Sequence, residues 1–150
     1  MSMKVASESL PPQETWLKPL EFDLPAGLIG FADLRRVELI VNPGELPFMW
    51  LRDVDNHALN FVVVEPLQLF PGYTIDLADE DAARLAITTP GDTLIFNIVN
   101  IRDDEPEAAT VNLIGPIVVN RHTRAGRQVV ITNYADYSAR HPLLASAAAL

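Results

Sequence analysis

The sequence FMWLRDVDNHALNFVVV, at residues 48–64, decides the fold class because it predicts two strands joined by a tight turn. Phe48 and Trp50 stand two residues apart in its first half, and an unbroken apolar run ends its second half. Asp53, Asp55 and Asn56 lie between the halves and are residue types that satisfy turn backbone groups locally. This stretch therefore predicts an antiparallel hairpin.

Short strand patterns of the same kind continue on both sides of the hairpin. In some of them apolar residues alternate with charged ones, and in others β-branched residues run on between Gly and Pro. Gly115 and Pro116 interrupt the pattern near its end, which predicts a bulge or sharp bend in a curved sheet. The predicted strands span residues 20–24, 36–41, 48–52, 59–64, 93–101, 109–113, 117–119 and 128–132.

Only one segment predicts a helix, and it is short. Asp79, Glu80 and Asp81 place a capping residue and further acids at its start, where they complement the free N–H groups of a first turn. We expect this helix near residues 79–87. Many short strands with one short helix predict a mostly β fold, either a small antiparallel β-barrel that is partly open or a sandwich.

Length and composition are those of a single globular domain. The chain has 150 residues, of which 49% are hydrophobic and none is Cys, so its core must hold without disulfides. We expect a loose segment at residues 1–19, a β-barrel domain at 20–143 and a C-terminal tail at 144–150. Apolar runs are too short to cross a membrane, and we expect a soluble protein that is not exported.

Charge is distributed unevenly along the chain, whose net charge is −9. Residues 1–120 hold 7 basic and 19 acidic side chains, a net of −12, whereas residues 121–150 hold 4 and 1, a net of +3. An acidic surface repels phosphate backbones, so direct nucleic-acid binding is disfavoured. The same surface attracts a basic protein partner, although a purely solvating role is equally open.

Residues that carry chemistry in enzymes form no convincing catalytic or metal site in this sequence. His57 stands near Asp53 and Asp55, a set that could ligate a divalent ion, but a solvated turn is the favoured interpretation. Ser138 stands near His141, but no Gly-x-Ser-x-Gly elbow supports a nucleophile. We therefore predict no catalytic residues, no bound metal and no cofactor.

Six motifs between about residue 20 and residue 143 are similar to those of the FliW family of flagellar assembly factors. Each motif is weak alone, and their shared order makes the resemblance specific. The chain differs from the family's usual Pro at Ile29, Ala at Gly115 and Thr at Ala139, and it matches poorly before residue 20. The motifs are PAGLIGF at 25–31, PFMWL at 47–51, FVVVEP at 61–66, FPGY at 70–73, VNLIGPIVVN at 111–120 and YSARHPL at 137–143.

The resemblance implies a small, mostly antiparallel β-barrel of the bacterial cytoplasm without catalytic activity. Such proteins bind the RNA-binding translational regulator CsrA and relieve its repression of flagellin synthesis, and they also bind flagellin, which competes for them. We expect these two partners, and a monomer. The alternatives are a chaperone that holds flagellin alone, and a small-ligand-binding or hydrolytic β-barrel with a cavity of roughly 300 Å³ or more lined by converging groups.

The candidate partner-binding residues lie in two acidic loops and one C-terminal motif. Loops carry recognition on barrels, and Tyr, Arg and His are common contact residues. Two structural alternatives stay open: the second acidic loop is a solvated turn, and Arg140 and His141 hydrogen-bond the C-terminal segment to the rest of the domain. The candidates are Asp53, Asp55, Asn56, Asp103, Asp104, Glu105, Tyr137, Arg140 and His141.

Other conspicuous side chains have structural interpretations. Phe48 and Trp50 are predicted to fill the core, because alternating aromatics in a strand are more often buried than part of a binding surface. Asn112 and Asn120 are predicted to satisfy backbone groups at the Gly115-Pro116 bend.

Overall fold

The computed structural model describes residues 2–5, 20–102, 104–105 and 108–143, which form a mostly antiparallel β fold. These described residues contain eleven strands and two short α-helices. The strands are β1 Ser2–Val5, β2 Leu20–Asp23, β3 Arg36–Ile40, β4 Phe48–Asp53, β5 Asn60–Val64, β6 Ile75–Ala78, β7 Thr93–Asn100, β8 Thr110–Val111, β9 Ile117–Asn120, β10 Gly126–Gln128 and β11 His141–Pro142. The helices are α1 Pro66–Leu69 and α2 Asp79–Arg84.

The main sheet runs in the order β10-β9-β7-β5-β4-β3-β2; in addition, β8 pairs with β7, and β11 pairs with β8. Its two ends approach each other at one point, where the N–H of Asp23 donates to the carbonyl of Arg124 at 2.8 Å and Asp23 forms a parallel bridge with Ala125. Since the pairing stops at that bridge, the sheet does not close. The predicted fold class, a partly open antiparallel barrel with a short helix, is confirmed.

The predicted hairpin at residues 48–64 is formed by β4 and β5, which pair from Phe48–Val64 to Arg52–Asn60. The predicted bend is also confirmed, because β8 and β9 both pair with β7 on either side of Gly115 and Pro116. Asn112 stabilises this bend: its Oδ1 accepts the N–H groups of Ile114 at 3.1 Å and Gly115 at 2.9 Å.

Several sequence predictions are corrected by long-range pairing. Residues 2–5, expected within a loose segment, form β1, which pairs antiparallel with β6 and buries Val5 at 1% exposure. The last predicted strand at 128–132 lies instead at Gly126–Gln128, where β9 provides a partner. Residues 6–19 and 144–150 lie outside the described residues.

The helix predicted near 79–87 is α2, and it ends three residues earlier, at Arg84. Asp79 is its first residue rather than a capping residue, and Ala78 at the N-cap provides no side-chain hydrogen bond. Helix α1 was not predicted, because Pro66 and Pro71 in a short connection gave no helical period.

The described residues pack into two apolar cores, one on each face of the sheet. The inner core fills the barrel with side chains such as Phe22, Leu51 and Phe96. The outer core lies beneath β1, β6 and α2 and contains Ile75, Ile95 and Val118. Because the barrel interior is occupied by buried side chains, candidate binding surfaces lie on the outside of the domain.

Candidate protein-docking surface

An open cleft lies where the main sheet divides. Strands β5 and β7 pair only from Val64–Asn97 to Val62–Val99. Beyond that point β5 continues along β4 to Asn60, while β7 continues along β8 to Asn100. We call the resulting space of about 440 Å³ the sheet cleft. It is lined by Trp50, Asn60, Phe61, Val62, Ile98, Val99, Asn100 and Ile101.

The sheet cleft presents large apolar side chains to solvent. Ile101 is 41% exposed, and Trp50 and Phe61 are half-buried. Trp50 therefore faces this cleft rather than filling the core, which corrects its predicted role, whereas half-buried Phe48 does pack against the outer core. The ring of Phe31, itself 42% exposed, meets the ring of Phe61 edge-on at 5.0 Å and extends the apolar surface.

Charged side chains border the sheet cleft. They lie on the same face of the sheet as Trp50 and Val62, in the next pair of facing residues along the strands. Arg52 and Asn60 are direct partners across β4 and β5, and Glu38 is the partner of Arg52 across β3 and β4. The guanidinium of Arg52 donates to Glu38 Oε1 at 2.6 and 2.8 Å. Nε2 of His57 lies 3.7 Å from the same oxygen. His57 thus faces Glu38, and among the described residues no three His, Asp or Glu side chains are grouped as a metal site.

The first predicted acidic loop, at the tip of the β4–β5 hairpin, is built on local hydrogen bonds. Oδ1 of Asp53 accepts the N–H of Asp55 at 2.9 Å, and Oδ1 of Asn56 accepts the N–H of Ala58 at 3.2 Å. These contacts are the turn-forming role that Asp and Asn often have. The carboxylate of Asp55 is exposed, so the loop holds a stable shape and still presents negative charge.

The second predicted acidic loop follows β7 and contains one compensating cation. Arg102 lies 3.4 Å from Asp104 and 3.8 Å from Glu105, whose side chains are 74% and 55% exposed. Ion pairs this exposed are weak and leave both carboxylates accessible to a partner. Asp103, the third candidate in this loop, lies outside the described residues.

Topology brings the two acidic loops to the same end of the main sheet. Strand β5 begins where the first loop ends, and β7 ends where the second loop begins. Because β5 and β7 are antiparallel neighbours, the start of one lies beside the end of the other. The sheet cleft opens at this end, so an apolar surface is flanked by two acidic loops.

The third predicted motif lies in a different place, beside a groove of about 440 Å³ that we call the C-terminal groove. The hydroxyl of Tyr137 accepts the N–H of Thr74 at 3.2 Å, and its ring meets that of Tyr73 edge-on at 4.8 Å. The imidazole of His141 meets the ring of Phe70 edge-on at 5.2 Å. The groove is lined by Phe70, Pro71, Gly72, Tyr73, Leu113, Asp136, Tyr137, Ser138 and His141.

The contacts of this motif attach the C-terminal segment to the domain. Strand β11 pairs with β8, and His141 is the direct partner of Val111. The side chain of Arg140 is exposed, while its N–H donates to the Oγ of Ser138 at 3.0 Å. Among the three candidates, Tyr137 and His141 thus have packing roles, and Arg140 presents its charge to solvent.

A buried polar cluster lies behind the C-terminal groove. Asn97, fully buried, donates through Nδ2 to the Asn112 carbonyl at 2.9 Å and to the Tyr73 hydroxyl at 3.3 Å. The Tyr73 hydroxyl donates to the Leu113 carbonyl at 2.5 Å. Burial raises the pKa of Tyr73, so its phenol stays protonated and keeps donating. This cluster fixes the bend of the curved sheet.

A second polar cluster lies near α2 and joins Asp92 to the turn after β9. The N–H groups of Thr89 and Thr88 donate to Asp92 Oδ2 at 3.1 and 3.2 Å. These two bonds, with a contact from His122 Nε2 at 3.0 Å, lower the pKa of Asp92 to about 2. Asp92 therefore remains ionised far into the acid range, where it continues to hold the turn.

Comparison with known proteins decides the family. The family described as FliW protein matches residues 10–143 of the chain. The chain belongs to the FliW family. The match begins ten residues before the resemblance recognised in the sequence, and it spans all six motifs. Residue 20 is therefore too late a boundary for the family's sequence pattern.

Named relatives agree with this membership over most of their length. The flagellar assembly factor FliW of Geobacillus thermodenitrificans is 39% identical over 118 residues, which cover 78% of this chain and 79% of that protein. The flagellar assembly factor FliW of Magnetococcus marinus is 35% identical over 138 residues, which cover 88% and 83%. A crystal structure of the flagellar assembly factor FliW superposes with a TM-score of 0.73 at 32% identity, covering 94% of this chain and 96% of that chain.

The sheet cleft was not predicted from the sequence, although all eight of its lining residues lie in predicted strands. Its existence depends on β5 and β7 being neighbours and then separating, and these strands are about thirty residues apart in the chain. The local sequence carried no signal for it, because Ile101 is the last residue of a predicted strand. A search for long apolar helices that could span a membrane finds none within the described part of the chain.

Proposed function

We propose that this chain is a non-catalytic flagellar assembly factor of the bacterial cytoplasm that works by binding two proteins, a CsrA-type RNA-binding translational regulator and flagellin. Binding the regulator relieves its repression of flagellin translation. Flagellin competes for the chain, so translation resumes when flagellin has been secreted. The chain thus acts as a partner switch.

The observation that carries this proposal is the acidic end of the main sheet, where two charged loops flank an exposed apolar cleft. An RNA-binding regulator needs basic surface to hold phosphate, and that surface is attracted by carboxylates such as Asp55 and Asp104. The net charge of −9 has the sign required for such attraction. The names of the relatives, flagellar assembly factor FliW, support the flagellar context.

The barrel interior supports a docking role over a small-ligand or hydrolytic role. Buried side chains such as Phe22 and Phe96 fill the barrel, and the sheet cleft and the C-terminal groove both open at the surface. Within the C-terminal groove, the Ser138 hydroxyl accepts a hydrogen bond from a neighbouring backbone N–H, as in a turn. Protein partners fit such open surfaces better than a small substrate that must be enclosed.

The experiment is a binding measurement with the purified CsrA-type regulator and flagellin of the same organism. We expect a complex with the regulator whose association slows as salt rises, because exposed charges are screened within about 10 Å at 0.1 M salt. Flagellin added in excess should release the regulator. Absence of a regulator complex at low salt would overturn the proposal.

A chaperone that holds flagellin alone gives a different result in the same assay. Such a protein binds flagellin and leaves the regulator free at every salt concentration. A translation assay with flagellin mRNA completes the test: the chain should restore synthesis repressed by the regulator, and flagellin should cancel that effect.

A further inference from the structure

The sheet cleft combines apolar walls with few polar groups. Its walls are Trp50, Phe61, Val62 and Ile101, and the polar side chains in its lining are those of Asn60 and Asn100. A site for a small polar metabolite needs several converging polar groups. This lining instead fits apolar side chains brought by a larger molecule. The cleft opens to solvent on the face of the sheet that Trp50 and Val62 share.

The charge around the sheet cleft indicates that the larger molecule it binds is basic. Among the described side chains of the two acidic loops and of the Glu38–Arg52 pair, five carboxylates and two guanidinium groups give a net of −3 with histidine neutral. Each arginine is already paired with a carboxylate, so negative charge remains to be compensated. The carboxylates are those of Glu38, Asp53, Asp55, Asp104 and Glu105, and the guanidinium groups are those of Arg52 and Arg102.

We propose that the sheet cleft binds a basic, amphipathic segment of the CsrA-type regulator, whose apolar side chains enter the cleft while its Lys or Arg side chains lie against the two acidic loops. This inference rests on the proposed function and adds the location and chemistry of the contact. Apolar anchors in a desolvated pocket provide most of the affinity at such an interface, and the surrounding charges set orientation and association rate.

The first test observes Trp50 directly in the intact fold. The chain contains two tryptophans, so the Trp16→Phe variant leaves Trp50 as the single one. This variant is labelled with fluorinated tryptophan, and its fluorine NMR signal is recorded with and without the unlabelled regulator. We expect the signal to shift when the regulator covers the sheet cleft, because Trp50 lines that cleft.

The second test compares two exposed aliphatic residues. Ile101→Ser removes an apolar side chain from the sheet cleft, where it is 41% exposed. Val130→Ser is the matched control, because Val130 is 56% exposed and lies after β10, outside the cleft lining. We expect the first substitution to raise the Kd for the regulator about tenfold and the second to change it less than about twofold. Thermal unfolding of both variants verifies that they fold.

The outcomes separate this inference from the proposed function. A complex with the regulator that leaves the Trp50 signal and the Ile101→Ser affinity unchanged overturns the sheet cleft as the site, while the proposed function stands. A Trp50 shift with flagellin but none with the regulator overturns the assigned occupant. Failure of the unmodified chain to bind the regulator overturns the proposed function, and this inference with it.

Discussion

At the scale of single residues, Asn120 connects two segments of the fold through four hydrogen bonds. It is 2% exposed, and its Nδ2 donates to the carbonyls of Leu85 at 2.8 Å and Ala86 at 3.2 Å. Its Oδ1 accepts the N–H groups of His122 and Thr123. One amide thus satisfies backbone groups at the end of α2 and in the turn after β9. Its predicted role in satisfying backbone groups is confirmed, but at these positions rather than at the Gly115-Pro116 bend.

We expect Asn120→Ala to lower the free energy of unfolding by at least about 2 kcal/mol, because it leaves buried backbone groups without partners. Urea denaturation measures the change. Asn100→Ala is the control, since Asn100 ends β7 and is exposed, and it should change stability by less than about 0.5 kcal/mol. Equal effects of the two substitutions would contradict the bonding role of Asn120.

Asp92 provides a prediction for pH. Its folded pKa of about 2 lies below the ordinary 3.8 of an unfolded chain, so ionised Asp92 stabilises the fold above about pH 4. That contribution is lost as the pH falls from about 4 through 2. An NMR titration should show the Asp92 carboxyl titrating near pH 2. The stability difference between the native chain and the Asp92→Asn variant should shrink over the same range, and a carboxyl that titrates near 3.8 would contradict this assignment.

At the scale of elements, the loop between β2 and β3 packs against the inner core. Leu28 and Leu34 from this loop are buried in the inner core, and Leu28 bridges to Phe31. Gly27 makes the turn possible because its φ is +67°, in the left-handed region. A Cβ on Gly27 would overlap the carbonyl oxygen of Phe31 and lie 2.7 Å from that of Ala32.

Gly27→Ala should therefore cost about 2 kcal/mol or more, since backbone strain and a steric clash act together. Gly44→Ala is the matched control, because an added Cβ there meets no atom within 4 Å. The two variants are compared by their urea unfolding midpoints. If Gly44→Ala proved as destabilising as Gly27→Ala, the clash would not be the cause.

The elements predictable from sequence were those whose pattern is local. The β4–β5 hairpin carries its alternation and turn residues within seventeen residues, and α2 carries its own acidic start. Strand β1 could not be predicted, because Ser2–Val5 is stabilised by β6, about seventy residues away. Each of the two acidic loops was predicted separately, because its own sequence pattern is local. Their joint position beside a cleft depends on which strands are neighbours, and that pairing has no local signal.

At the scale of the whole molecule, acidic side chains are grouped at two separate places in the fold. The two acidic loops and the Glu38–Arg52 pair beside the cleft have a net charge of −3 among the described residues, and helix α2 begins with a second acidic group, Asp79, Glu80 and Asp81. A basic partner attracted only by net charge would respond to both groups equally. A partner that docks at the sheet cleft responds to one of them.

Two substitutions distinguish these cases, since Asp104 and Glu80 are equally exposed and each has an arginine neighbour. Each side chain is 74% exposed, with an arginine at 3.4 Å from Asp104 and at 4.0 Å from Glu80. Asp104→Lys and Glu80→Lys each change the net charge from −9 to −7. Asp104→Lys should alter stability by less than about 0.5 kcal/mol, and Glu80→Lys should lower it by up to about 1 kcal/mol because it reverses a charge in the first turn of α2. We expect Asp104→Lys to slow association with the regulator about threefold or more at low salt, because electrostatic steering depends on charge near the docking surface. Glu80→Lys should have less than half that effect in stopped-flow measurements, and the two rates should converge as salt rises and screens both sites. Equal slowing by the two substitutions would mean that the regulator senses only the total charge.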